Sequence, residues 1–200
     1  MRNIAIFASG SGTNAENIIK YFSTNNYVRV RLVLSNKREA YVLKRAESLG
    51  VDTVFFDRSG LYEEEKVINL LSHYAIDFVV LAGFLWLIPD NILEIYKGRI
   101  INIHPALLPK YGGKGMYGDK VHKTVIANNE KESGITIHYV NKFYDAGDII
   151  FQTRCNVLPD DTYDSLAERI HSLEYKYYPM VIEKLMSNLP DSLSKGVEQT

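Results

Sequence analysis

The sequence predicts an α/β fold: a doubly wound, mostly parallel sheet with a C-terminal antiparallel extension and one long helix. Three observations lead there. Apolar runs of strand length, at Ile4 to Ala8 and Phe78 to Gly83, have no polar face, as in strands buried on both sides. Helical patterns separate the strand candidates, which is the rhythm of parallel strands joined by right-handed crossovers. Beyond Asn128 the rhythm changes to two alternating segments around a turn, followed by a long periodic stretch.

In chain order, the first strand runs into Ser9-Gly-Ser-Gly-Thr-Asn14, and a helix carrying Ile18, Ile19 and Phe22 follows. Val28 to Leu34 is the second strand, and Tyr41 to Leu49 a helix that Gly50 ends. Asp52 to Phe56 forms a third strand. The stretch from Leu61 to Tyr74 reads as one helix with Glu63, Glu64 and Glu65 in its first turn, where the macrodipole favours acids. After the strand at Phe78, Pro89 opens a helix to Tyr96. Ile100 to His104 is a strand that Pro105 must stop, because proline cannot continue a central ladder. Residues Leu107 to Asp119 are a loop rich in glycine, and Lys120 to Asn128 a short helix. Gly134 to Val140 and Ile149 to Cys155 are strands. Asp160-Asp-Thr162 caps a long helix with Leu166, Ile170, Leu173, Tyr177, Val181 and Leu185 on its apolar stripe. Residues 1–188 are expected to form a single domain and 189–200 a polar tail.

A chain of 200 residues with 46% hydrophobic and 24% charged residues holds one sizeable core. A net charge of −1 gives no reason to expect nucleic acid or an anionic membrane as partner. Cys155 is the only cysteine, which excludes an intramolecular disulfide and favours a reducing compartment. With no membrane-length apolar run and no signal-peptide pattern at the start, a cytoplasmic location is expected.

Asn102 and His104 stand two apart on one strand, so amide and imidazole point to the same side while Ile101 and Ile103 point to the other. They converge at a strand's carboxyl end, where ligands bind in open parallel sheets. Asp145, in the turn Tyr144-Asp-Ala-Gly-Asp148, is within reach of that edge, and a carboxylate beside an imidazole favours the imidazolium and fixes its orientation. Each has a plainer role if taken alone: a polar pair closing a strand, and a turn former. Gly10-Ser-Gly-Thr-Asn-Ala15 satisfies the dinucleotide fingerprint when alanine is allowed last. Ser35-Asn36 stands where a ribose-binding acid belongs, however, so a single phosphate monoester at the helix N-terminus fits better. Otherwise Thr13 or Asn14 merely caps that helix.

His73, His122 and His171 fall in helical patterns and are expected at the surface or partly packed. His138, mid-strand, suits either core or site wall. No histidine pair has metal spacing together with a carboxylate or thiolate cluster, so no metal is expected. Lys110, Lys114, Lys120 and Lys123 make a modest basic, mostly solvated stretch. Ala82 to Pro89 exceeds a strand's apolar need and belongs to the core or to the wall of a pocket for a flat heterocycle.

The elements Ser9-Gly-Ser-Gly-Thr-Asn14, Val80-Leu-Ala-Gly-Phe84, Asn102-Ile-His-Pro-Ala-Leu-Leu-Pro109 and Asp145-Ala-Gly-Asp148 occur in this order. The chain thereby resembles, from about residue 2 to 186, the phosphoribosylglycinamide formyltransferase family of folate-dependent enzymes. The Asn-x-His-Pro element with a distal Asp is common to enzymes that use 10-formyltetrahydrofolate, and the glycine loop points to the glycinamide ribonucleotide branch. The resemblance implies a Rossmann-like formyltransferase fold and formyl transfer from 10-formyltetrahydrofolate to the amine of glycinamide ribonucleotide in de novo purine synthesis. Asn102, His104 and Asp145 would be the catalytic set, with protonated His104 and the Asn102 amide stabilising a tetrahedral intermediate. Gly12, Thr13 and Asn14 would bind the phosphate, and Glu174 the glycinamide end. Leu85, Trp86, Leu87, Ile88, Val140 and Tyr144 would contact the folate, with Trp86 standing where many relatives carry a basic residue. The partners implied are these two small molecules, with no metal, nucleic acid or membrane, and the protein would be a monomer or homodimer.

Alternatives remain open at this point. Formyltetrahydrofolate hydrolase would replace the amine with water, but that branch usually has a further N-terminal domain. Methionyl-tRNA formyltransferase needs a C-terminal tRNA-binding domain. A noncatalytic nucleotide-binding module would keep the glycine loop without needing Asn102, His104 and Asp145 together.

Overall fold

A computed structural model describes residues 1–189, so the expected tail lies, from residue 190 onward, outside the described residues. Strands β1 (Arg2–Phe7), β2 (Val28–Ser35), β3 (Asp52–Phe55), β4 (Phe78–Leu81) and β5 (Ile100–His104) pair in parallel. Two further strands, β6 (Glu132–Tyr139) and β7 (Ile149–Asn156), extend the sheet antiparallel, giving the order β3-β2-β1-β4-β5-β6-β7. The chain winds outward from β1 to β3 and returns to β4 on the other side of β1. The crevice beyond the carboxyl ends of β1 and β4 is therefore the topological switch point, where ligands bind in such sheets.

Helices α1 (Thr13–Phe22), α2 (Tyr41–Ser48), α6 (Asp119–Ala127) and α7 (Tyr163–Asn188) cover one face. Helices α3 (Arg58–Tyr62), α4 (Lys66–His73) and α5 (Asp90–Ile95) cover the other. Strand alternation divides the side chains between the two layers: Ile4 and Ile6 enter the first, Ala5 and Phe7 the second. Both faces of β1 are thus dry, which explains its unbroken apolar run.

One expected helix is two. Asp57 caps α3 by accepting from the Gly60 N–H at 2.9 Å, so the helix starts before Leu61 and the acids fall between α3 and α4, with Glu65 at the N-cap of α4. The helix stops at Tyr62, and Glu65 takes a left-handed conformation (φ 53°) before α4 begins. Both pieces still bury Leu61, Val67 and Leu71. The long helix α7 starts with a capping box between Thr162 and Ser165, and the buried Tyr178 on it donates its hydroxyl to the Leu81 carbonyl at 2.8 Å. That bond ties α7 to the end of β4.

Candidate active site

Strand β5 delivers Asn102 and His104 to one side, and Ile101 and Ile103 join the core on the other. The turn after β6 brings Asp145 over them in a left-handed conformation (φ 51°), which aspartate tolerates better than most residues. The His104 Nδ1 lies 3.5 Å from Asp145 Oδ2, and the Asn102 amide donates to Asp145 Oδ1 at 3.4 Å. Both contacts are long. Three shorter ones hold the cluster: Gly113 N–H donates to Asp145 Oδ2 at 2.9 Å, His104 Nε2 meets the Tyr111 carbonyl at 2.7 Å, and Asn102 Nδ2 meets His138 Nε2 at 3.2 Å. The His138 Nδ1 faces the Tyr139 carbonyl at 2.8 Å and must carry the proton there, so its Nε2 accepts from Asn102. Gly112 lets the loop come this close, because a Cβ on it would lie 2.5 Å from Leu108 Cδ2 and 3.3 Å from Asp145 Cβ.

Burial holds His104, 3% exposed, below the ordinary imidazole range; Asp145 and the Tyr111 carbonyl pull the other way without prevailing. Loss of water thus outweighs the carboxylate that favours the imidazolium. Burial pushes Asp145 up, but its polar surroundings, the Gly113 N–H that donates to it among them, bring it below the usual carboxylate range.

Asn102, His104, Gly113 and Asp145 line a cavity of about 490 Å³. Phe84, Leu85, Trp86 and Tyr144 supply its apolar wall, and Trp86 packs edge-on against Phe84 and Phe56. Asn14, His122, His171 and Glu174 also line it. Glu174, 5% exposed, accepts from Asn14 Nδ2 at 2.8 Å, and burial raises its carboxyl to about 7 against that single bond. The Asn14 Oδ1 is buried without a partner. Helix α1 begins with no side-chain cap: Gly12, at φ 78°, is its N-cap, so neither Thr13 nor Asn14 plays the capping role. A Cβ on Gly12 would lie 2.4 Å from Val42 Cβ. At the end of β1, Ser9 donates to Asn36 Oδ1 at 2.6 Å and accepts from the Leu85 N–H at 3.1 Å, joining the glycine loop to the apolar wall.

Of the residues named from sequence, Asn14, Leu85, Trp86, Asn102, His104, Tyr144, Asp145 and Glu174 meet around this cavity. Gly12 and Thr13 sit behind Asn14 at the start of α1. Ile88 is buried in the second core layer, the Leu87 carbonyl accepts from the Tyr62 hydroxyl, and Val140 borders a separate, open depression beside Phe143. His122 is 2% exposed, not at the surface, because α6 turns it inward with Val121 and Val125, and burial lowers it to about 4. His138, 2% exposed, is buried and bonded to Asn102. Its register opposite Asn102 was a usable signal, whereas nothing in the residue types marks the Tyr111 carbonyl or the Gly113 N–H. Among the described residues no group of three or more histidine, cysteine or acidic side chains is placed to hold a metal.

The profile of the formyl transferase family matches residues 2–182. The chloroplastic phosphoribosylglycinamide formyltransferase of Arabidopsis thaliana is 40% identical over 90% of this chain, which spans 64% of that protein's length. The phosphoribosylglycinamide formyltransferase of Bacillus subtilis is 36% identical over 93% of this chain and 95% of its own length. The crystal structure of the Bacillus halodurans phosphoribosylglycinamide formyltransferase superposes with a TM-score of 0.85 at 35% identity, covering 97% of this chain and all of that one.

Proposed function

Because the chain belongs to the formyl transferase family, we propose that it transfers a formyl group from 10-formyltetrahydrofolate to the amine of glycinamide ribonucleotide, a step of de novo purine synthesis. The observation that carries this reading is the meeting of Asn102, His104 and Asp145 in the same cavity as Asn14 and Glu174. The open N-terminus of α1 with Gly12, Thr13 and Asn14 suits a phosphate monoester, and the buried Glu174 carboxyl suits the glycinamide end. Phe84, Leu85, Trp86 and Tyr144 form a wall suited to a flat heterocycle, which fits the formyl donor. Ile88 and Val140 pack in the same core layer as Trp86. Residues 1–188 act as one domain, in the cytoplasm, as a monomer or homodimer.

When the amine nitrogen bonds to the formyl carbon, the carbonyl electron pair moves to oxygen. The long contacts of Asn102 and His104 to Asp145 are the ones that a growing negative charge can draw away, while the shorter contacts keep both groups aimed. That charge adds to Asp145 in favouring the imidazolium, so His104 is protonated most readily as the transition state forms. The amine proton passes to this cluster, and the folate nitrogen leaves with a proton when the tetrahedral species collapses. Absorbance-monitored conversion of a 10-formyl folate analogue, with and without glycinamide ribonucleotide, tests the reading. Turnover that needs the ribonucleotide supports it. Turnover without it identifies a hydrolase, and no turnover a binding module.

A further inference from the structure

A carbonyl oxygen only accepts hydrogen bonds, so the 2.7 Å contact with Tyr111 requires the proton of neutral His104 to sit on Nε2. The Nδ1 that faces Asp145 then carries a lone pair. Which ring nitrogen works is thus decided by one backbone group, and that group is held in an unusual way. Tyr111 has φ 56°, a conformation that L side chains rarely adopt. Its side chain pins it there: the hydroxyl donates to Glu130 Oε1 at 2.8 Å and accepts from Asn128 Nδ2 at 3.1 Å, and Lys110 Nζ braces Glu130 at 3.0 Å. Tyr111 does not line the catalytic cavity; it borders a different one behind the 107–111 segment.

We infer that Tyr111 is a positioning residue, clamped by Glu130 and Asn128 so that its carbonyl holds His104 as the Nε2–H tautomer and leaves Nδ1 as the nitrogen that exchanges a proton with the reacting groups. The inference deepens the proposed function and rests on it for the reaction, but the tautomer is a property of the ligand-free protein. The other titratable groups acting on His104 are Asp145 from the turn after β6, His138 from β6 and His122 from α6. All three remain in every variant below.

The experiment pairs nitrogen-15 NMR of the five histidines in the ligand-free protein with steady-state kinetics. In the unsubstituted protein His104 gives the Nε2–H pattern. Tyr111→Phe cuts the clamp and keeps the ring: His104 becomes a tautomer mixture, kcat falls ~tenfold, and KM for both substrates stays within about twofold. The alkaline limb of the kcat profile shifts to lower pH, because the carbonyl favours the imidazolium. Glu130→Gln moves the same readouts less. Tyr111→Gly, which adopts the left-handed conformation freely, retains more kcat than Tyr111→Ala. An Nδ1–H pattern in the unsubstituted protein overturns the inference, as does an unchanged His104 spectrum in a folded Tyr111→Phe protein. Tyr111→Ala equalling or exceeding Tyr111→Gly overturns the backbone part. If the unsubstituted protein turns nothing over, the proposed function fails while the NMR result still decides this inference.

Discussion

Two carboxyl groups face one cavity in opposite electrical settings. Asp145 has two imidazoles and a backbone N–H around it and stays ionised below the usual carboxylate range. Glu174 has one amide and no cation, and its carboxyl is raised to about 7. Burial penalises both, so what separates them is the company each keeps. The contrast teaches that the Asp145 end suits the charge changes of the proposed reaction, and that the Glu174 end presents a carboxyl half neutral near physiological pH.

The largest effects should come from the Asp145 end. His104→Ala and Asp145→Asn are each expected to lower turnover ~10²–10³-fold with little change in ribonucleotide affinity, read by kcat beside calorimetric binding. Loss of affinity without loss of turnover in both would dissolve the contrast. Next is Glu174, whose raised carboxyl makes stability full below the ordinary carboxylate range and lost as pH rises through about 7. Glu174→Gln should therefore be the more stable protein above pH ~7.5, by on the order of 3 kcal/mol at most, with little difference at pH ~5. Denaturant melts at the two pH values check the sign, and a variant that loses stability on the alkaline side would refute it. Gly12→Ala sets a Cβ on Val42 in a left-handed backbone and should raise KM for the ribonucleotide ~tenfold while kcat holds. The smallest effect is the control: Arg154→Ala breaks an ion pair with Glu132 whose side chains are 64% and 48% exposed. It should change stability by less than ~0.5 kcal/mol and leave both ends of the cavity untouched.

The same two ends differ in how far they could be read from the chain. Period-two alternation aims Asn102 and His104 together whatever surrounds them, so that pair and its strand were legible. The balance at His104 between burial and its carboxylate neighbour was not, because it depends on how completely the fold removes water. His122 was misread for a similar reason: a helical pattern gives a face but not the neighbour that covers it. The break after Tyr62 turned on where the helix starts, set by the Asp57 cap, and not on the acids that follow. Tyr111 works through a carbonyl and a positive φ, and neither has a residue-type signature.

The Asn14–Glu174 bond joins positions 160 apart, and Tyr178 on the same helix reaches back 97 positions to β4. Closing such long loops is slow, because their entropy is lost before the contacts reward it. A chain emerging residue by residue therefore completes β5 and its polar pair well before the Glu174 end exists. The Glu174 side of the cavity is thus a late event in the life of each molecule, and any ligand that binds only the finished form would draw it forward.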